Sequence, residues 1–388
     1  GADDSGLSPM PLALLLSYIG FVSLGLPDTV LGAAWPTIRV SFGLPLDAAG
    51  AAVLLTTAGV VLSSAVSGRV RARVGTAAVL IGSTMLASLA LALAGFAPDW
   101  RAMLAAAFVA GLGGGAIDAT LNHLVARRHS ARHMNWLHAC WGVGASLTPA
   151  LVAAMLARGF GWRAPYRVLA VVELLLAFAF VATRKLWRDD EAPGDQPVAA
   201  NAAAPSPAAM RASVLMFLCY GGVEAGTGLW ATSLLTLTRG ASAAQAGGML
   251  ATYWGALTVG RFVLGSITDR VGPARLLRLS IRTAVVAAAA LALPMTPLWF
   301  AGAALAVLGF ALAPVYPVTM HDSASRFGAA GARVVGYQVA ACAIGVATLP
   351  LVIGKIGAHA GVLLIPPLLL LLALVTTGLE VVRRRRPS

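Results

Sequence analysis

The sequence predicts an all-α membrane protein of 12 transmembrane helices arranged as two pseudo-symmetric six-helix bundles, and three observations carry that expectation. Of its 388 residues, 59% are hydrophobic and only 11% charged, whereas soluble domains carry roughly 25% charged residues. Apolar runs of about 20 residues, the length needed to cross ~30 Å of hydrocarbon, recur along most of the chain. One long polar segment, "RDDEAPGDQPVAANAAAPSPAA", rich in Pro and Ala, separates six such runs from six more and reads as a flexible linker.

Taken in order, the runs bounded by charge, Pro or Gly fall at 9–36, 47–68, 76–96, 101–125, 135–157 and 164–186, then at 212–237, 243–265, 275–294, 298–320, 334–354 and 360–380. The implied division is an N-terminal bundle over 1–186, a cytoplasmic linker over 187–211 and a C-terminal bundle over 212–388. Pro314 and Pro317 are expected to break the tenth run, where a break would serve as a gating hinge. The opening "GADDSGLSPM" has no basic stretch followed by a cleavage site, so the first span is expected to direct insertion itself.

Charge then orders the loops. The net charge of +13 is not a nucleic-acid signal, because the arginines sit in short clusters at the ends of apolar runs. Arg69, Arg71 and Arg73, Arg127 and Arg128, Arg184 and Lys185, and Arg270, Arg275 and Arg278 alternate with poorer loops. Arg158, Arg163 and Arg167 are the exception. By the positive-inside rule both termini and the linker are cytoplasmic, in the inner (plasma) membrane. The arginine tail from Arg383 is placed to touch anionic lipid heads. Cys140, Cys219 and Cys342 lie singly in apolar runs and predict neither a disulfide framework nor a metal site.

The two halves echo each other. "GRVRARVG" (68–75) follows the second run and "GSITDRVG" (265–272) follows the eighth, while Tyr18 and Gly20 recur as Tyr220 and Gly222. Related halves place a cavity between them near mid-membrane. On these strings the chain resembles the major facilitator superfamily. Gly265, Asp269, Arg270 and Gly272 match that family's cytoplasmic-loop motif; the first-half copy keeps Gly68, Arg73 and Gly75, but Ala72 replaces the acid. If the motif is a charge latch, the first-half latch is weakened. "GLPDTVLGAAWP", "AIDATLN", "NWLHACWGVGA", "YWGALTVGR", "GFALAPVYP" and "GYQVAACAIG" further resemble the fucose permease-like branch of fucose, galactose and glucose:proton symporters. That resemblance implies that Asp28 and Asp118 serve substrate and proton, with Asn122 beside them.

Read from the residues alone, four of the fifteen acids lie within spans: Asp28, Asp118, Glu173 and Glu224. Facing lipid would be costly, so each is expected to face protein or water. Asp118 has Asn122 one turn on and a glycine-rich approach, Gly111 to Gly115, that permits close packing or local unwinding. Asp28 follows Pro27, which should kink its helix and free carbonyls; the competing reading is a helix-end acid at the outer mouth. Glu224 shares a helical face with Tyr220 and Thr227. Together Asp28, Asp118 and Glu224 are the expected proton-coupling carboxyls. Glu173, among apolar neighbours, reads better as a bond to an adjacent helix.

Further substrate-binding candidates are Tyr18, His138, Trp141, Tyr253, Tyr316 and Gln338, with Trp230 and Trp254 able to stack on a sugar face. Arg261 is either the ion-pair partner of a cavity acid or a side chain that snorkels and braces the loop motif. No P-loop, nucleophile–base pair or metal-ligand spacing is found, so neither an enzyme nor a cofactor is expected. The expected function is proton-coupled secondary transport of a small polar solute, a sugar or polyol, with sodium as the alternative drive and a monomer as the unit. The alternatives are proton-driven efflux of amphiphilic compounds and, less favoured, a non-transporting sensor.

Overall fold

The computed structural model describes residues 12–129, 131–187, 206–327 and 331–384. They form thirteen α-helices and no strand. In the first half these are α1 (Leu12–Phe42), α2 (Ala49–Val74), α3 (Thr76–Gly95), α4 (Trp100–Arg128), α5 (Ala131–Ala157) and α6 (Arg163–Ala182). In the second half they are α7 (Pro207–Thr238), α8 (Ala243–Val271), α9 (Pro273–Ala292), α10 (Leu298–Leu312), α11 (Val315–Arg326), α12 (Gly331–Ala360) and α13 (Ile365–Arg384). Most of the expected linker, 188–205, lies outside the described residues.

Ten stretches among the described residues are long and apolar enough to cross a membrane, with α10 and α11 together making one of them. The helices α8 and α9 are long enough but less apolar. The first carries Gln245, Thr252, Tyr253 and Trp254, and the second Arg275, Arg278 and Arg282, all three turned outward. The tenth run does break, between Leu312 and Val315 at Pro314, while Pro317 sits in the first turn of α11. Pro27 and Pro36, by contrast, lie inside an unbroken α1. Asp28 is therefore near the middle of its helix, and the reading of a helix-end acid is corrected.

Helix packing repeats between the halves. In the first, α1 packs on α5, α2 on α4, and α3 on α4 and α6; in the second, α7 packs on α12, α8 on α10, and α9 on α10 and α13. Glycines make the close crossings. A methyl group at Gly111 would strike the Thr56 carbonyl of α2, one at Gly115 the Val60 carbonyl, and one at Gly113 the Ser83 carbonyl of α3. The glycine-rich stretch thus wedges a continuous α4 between two neighbours without unwinding it.

Contact between the halves is made by α5 on α8, α1 on α7 and α2 on α12. Its closest approaches run from mid-helix to the end away from the chain termini. Gly32 meets the Gly228 carbonyl, Gly50 meets Leu351, and Gly247 meets Ala153. Thr232 donates a hydrogen bond to the Gly32 carbonyl. At the termini side, Arg383 is fully buried, bonded to Glu380 at 2.7 Å and to Asp322, and so ties α11 to α13.

Both loop-motif glycines end one helix and begin the next in a conformation closed to other residues, Gly75 at φ 83° and Gly272 at φ 85°. Gly68 and Gly265 stand in open helix surface, Arg73 and Arg270 are exposed, and the Asp269 side chain lies outside what is described. Gly75→Ala and Gly272→Ala should each lower stability by about 1–3 kcal/mol, read as an earlier thermal transition in detergent, whereas Gly68→Ala should leave it unchanged or slightly raised.

Candidate solute-binding cavity

A cavity of about 360 Å³ lies where the halves meet, and it extends between α2, α3 and α4. Asp28, Asp118, Glu173 and Glu224 all line it, as do Trp141 and Trp254. The four acids come from α1, α4, α6 and α7, so no helix positions more than one of them. Asp28 is exposed although it sits mid-helix, and the cavity is what exposes it. Pro27 cannot donate to the carbonyl of Ser23, and Ser23 lines the same cavity, which places the freed acceptor beside Asp28.

Each of three acids has a fixed donor. The Trp141 indole N–H donates to Asp28 Oδ2 at 2.8 Å. The Asn122 amide donates to Asp118 Oδ1 at 3.0 Å from one turn along α4. The Tyr220 hydroxyl donates to Glu224 Oε2, and Arg261 Nη2 lies 3.6 Å from the same oxygen. Arg261 therefore faces the cavity acid across α7 and α8, and the snorkelling alternative is set aside. Its guanidinium also stands 5.4 Å from the Trp141 ring centre, while Trp141 and Trp254 meet edge to face at 5.7 Å. This carboxylate–indole–guanidinium chain links the two halves near the middle of α1, α5, α7 and α8.

Glu173 stands apart from that chain. It is 1% exposed, and its Oε2 has no hydrogen-bond partner among the described residues. The remaining lining is mostly Ala, Val, Leu and Gly, with hydroxyls from Ser23, Thr29, Thr56 and Thr57. Among these Thr29 is committed to the Ala145 carbonyl at 3.0 Å, and Thr56 and Thr57 bond back along α2.

Several residues expected to bind solute are placed elsewhere. Gln338 is fully buried and donates to Ser213 Oγ and Ser323 Oγ at 2.6 and 2.7 Å, joining α12 to α7 and α11. Tyr253 is fully buried, its hydroxyl donating to the Glu224 backbone carbonyl at 3.1 Å. Trp230 donates to the Pro350 carbonyl at 2.9 Å and fills the space over Gly354. Tyr18 pairs with His133 at 2.7 Å near the termini side, and His138 is exposed and stands edge-on to Phe21. Tyr316 packs on Tyr220 and Phe217 behind Glu224. For Gln338, Tyr253 and Trp230 these are structural positions, because a buried polar tip must find a partner and a neighbouring helix supplied one; Tyr316 and His138 stand beside the Glu224–Arg261 pair without lining the cavity. Ser23, Thr29 and the Thr56–Thr57 pair are cavity residues that the sequence reading did not name, and a hydroxyl pair inside an apolar run was the available signal; Glu173, read there as a bond to an adjacent helix, lines the cavity as well.

Replacing Gln338 by Leu should cost about 1–3 kcal/mol of stability, because Ser213 Oγ and Ser323 Oγ, 3.3 Å apart, are left only each other; it should be seen as a lower unfolding temperature, with solute affinity unchanged.

The sequence profile of the Major Facilitator Superfamily matches residues 17–350. The chain is 25% identical over 286 residues to "Bypass of stop codon protein 6" of Saccharomyces cerevisiae, over 67% of this chain and 57% of the yeast protein, so it spans little more than half of that relative. Its fold is similar to solved structures at TM-scores of 0.73, 0.73 and 0.63. The first is a bacterial homologue of the human lysosomal transporter Spinster, inward-facing and occupied, at 15% identity over 97% of each chain. The second is the nucleoside transporter NupG, at 14% identity over 96% of this chain and 98% of that one. The third is the transporter FucP in an outward conformation, at 17% identity over 97% and 99%. The chain belongs to the Major Facilitator Superfamily, a family of membrane transporters and not of enzymes.

Proposed function

We propose that this protein is a proton-coupled secondary active transporter that moves a small polar solute, a sugar or polyol, by alternating access. The observation that carries the reading is the cavity shared by Asp28, Asp118 and Glu224 and walled by Trp141 and Trp254. Carboxylates accept hydrogen bonds from the hydroxyls of a polyol, and indole faces cover its C–H surface. A volume of about 360 Å³ falls within the usual range for small-molecule sites, about 300–1,000 Å³.

The architecture supporting this reading is a pair of six-span bundles, α1–α6 and α7–α13 with α10 and α11 counted as one span, that rock about the cavity. The repeated packing of α1 on α5 and α7 on α12, and the paired contacts of α5 on α8 and α2 on α12, favour that arrangement. With the arginine-rich loops assigned to the cytoplasm of the inner membrane, the packing of Gly32 on Gly228 and Gly50 on Leu351 closes the outer side. The state is then inward-facing. Protonating a cavity carboxyl changes the free-energy difference between inward and outward states, which is what ties solute movement to a proton gradient. A second reading, proton-driven efflux of an amphiphilic compound, is favoured by the Ala, Val and Leu lining and by the absence of Asn and Gln from the cavity wall among the described residues.

Proteoliposomes screened over hexoses and polyols, with and without an imposed pH gradient, test the proposal. Accumulation should appear only with the gradient. Asp28→Asn, Asp118→Asn and Glu224→Gln should each lower it roughly tenfold or more, the cost of one charge-assisted hydrogen bond. Accumulation indifferent to the gradient and to all three substitutions overturns it, and saturable uptake of hydrophobic cations without any sugar response selects the efflux reading.

A further inference from the structure

Four acids face one cavity, but they are not equivalent. Asp28, Asp118 and Glu224 each accept a hydrogen bond from a fixed donor: Trp141, Asn122 and Tyr220 respectively. Glu224 has the Arg261 guanidinium as well. A carboxyl so supplied has part of its hydrogen-bonding capacity met and presents its remaining lone pairs to a solute. Glu173 has no such support. It is 1% exposed, lines the cavity, and leaves Oε2 without a partner among the described residues.

Among the described residues, the surroundings of Glu173 contain no cation. Its main packing partner, α3, has no titratable side chain at all. On its own helix, Arg163 and Arg167 lie one and a half turns or more away and are bonded to the carbonyls of Ala97 and Gly95, while Tyr166 lines the cavity as a neutral phenol. From α1 the charged neighbour is Asp28 across the cavity; Tyr18 is held by His133, and Arg39 stands at the far end of the helix. From α5, His138 packs against Phe21, Cys140 is a partly buried free thiol, and Arg158 is bonded to the Ala154 carbonyl. The other charged groups on the cavity wall, Asp118 and Glu224, are acids. Ser23, the hydroxyl that engages Glu173, also lies 2.9 Å from the Gly20 carbonyl, so its single proton is shared between two acceptors and it brings no charge.

An ionised carboxylate held there would bear the desolvation cost of a buried charge with no counter-charge to offset it. We infer that Glu173 is the carboxyl that takes up and gives up the coupling proton, leaving Asp28, Asp118 and Glu224 as hydrogen-bonding groups for the solute. The inference rests on the proton-coupled reading above. In the state seen here Glu173 is neutral and its O–H bond is intact. When the bundles rock and water or solute reaches the α3–α6 side of the cavity, the bond breaks, the proton passes to water, and the electron pair stays on the carboxylate. No other group changes its bonding.

Infrared difference spectroscopy of the full chain in lipid, titrated from about pH 5 to about pH 9, reads this directly and needs no solute. The wild type should show a protonated-carboxyl C=O band that bleaches as pH rises. Glu173→Gln should abolish that band, Glu173→Asp should keep it at a shifted frequency, and Ser23→Ala should shift it by removing its hydrogen-bond partner. Asp28→Asn, Asp118→Asn and Glu224→Gln should leave it in place. If Glu173→Gln does not fold, as judged by its amide band and elution, the frequency shift in Glu173→Asp makes the assignment. Three results overturn the inference: no titrating band, a titrating band lost in Asp28→Asn, Asp118→Asn or Glu224→Gln, or a Glu173 band that does not move with pH and so marks a structural group. Failure here leaves gradient-driven accumulation in proteoliposomes untouched, whereas failure of the proton-coupled reading removes that accumulation.

Discussion

Carboxylates in the middle of a hydrocarbon slab need somewhere polar to face, and the rest of this structure is arranged around meeting that need for four of them. Moving an ionisable side chain to the bilayer centre costs several kcal/mol unless it meets protein, water or a counter-charge. Asp28, Asp118, Glu173 and Glu224 sit on four different helices, and all four turn inward to one cavity. Helix rotation about each axis is thereby fixed in α1, α4, α6 and α7. The glycine crossings of α4 on α2 and α3 then bring the backbones close enough to seal the outside of the cavity with small side chains.

That arrangement also explains the electrostatic asymmetry between the halves. Among the described residues, the first half supplies three acids and an apolar interior with no cation on the cavity wall. The second supplies Glu224 together with Arg261, and Arg261 leans back over Trp141 of the first half. The bond from Trp141 to Asp28 makes the indole a bridge between α5 and α1 at the depth where the halves separate. A change of charge on either side of this bridge is felt by the contact that must open during transport. Away from the cavity, the buried Arg383 with Glu380 and Asp322 is a second ion cluster, one that fastens helices within the second half and leaves the interface between halves free to move.

Much of this was legible in the sequence, for identifiable reasons. Insertion cost makes an acid inside an apolar run informative by its position in the chain alone, so Asp28 and Asp118 stood out. The break at Pro314 was legible because a mid-run proline followed by a second leaves the helix without two donors. Pro27 did not break its helix, since one missing hydrogen bond beside a cavity can be tolerated where α5 and α7 pack on both sides. Gln338, Tyr253 and Trp230 were misread for a common reason: residue type and spacing give a side chain's place on its own helix, but not which neighbouring helix lies opposite it. That Glu173 lines the cavity was not legible, because the Val and Leu residues beside it in sequence give no sign of the wall that the other helices build opposite it.

The central claim is that a polar chamber reachable from water exists among these helices, and cysteine accessibility tests it most directly. In a chain with Cys140, Cys219 and Cys342 replaced by Ala, single cysteines at Thr57 and Ala107 lie on the cavity wall, and those at Leu62 and Leu89 lie on the outer apolar surface. A small, charged, membrane-impermeant thiol reagent should label the first pair, faster from the side that carries the chain termini, and leave the second pair unmodified. Equal inertness at all four positions would contradict the account.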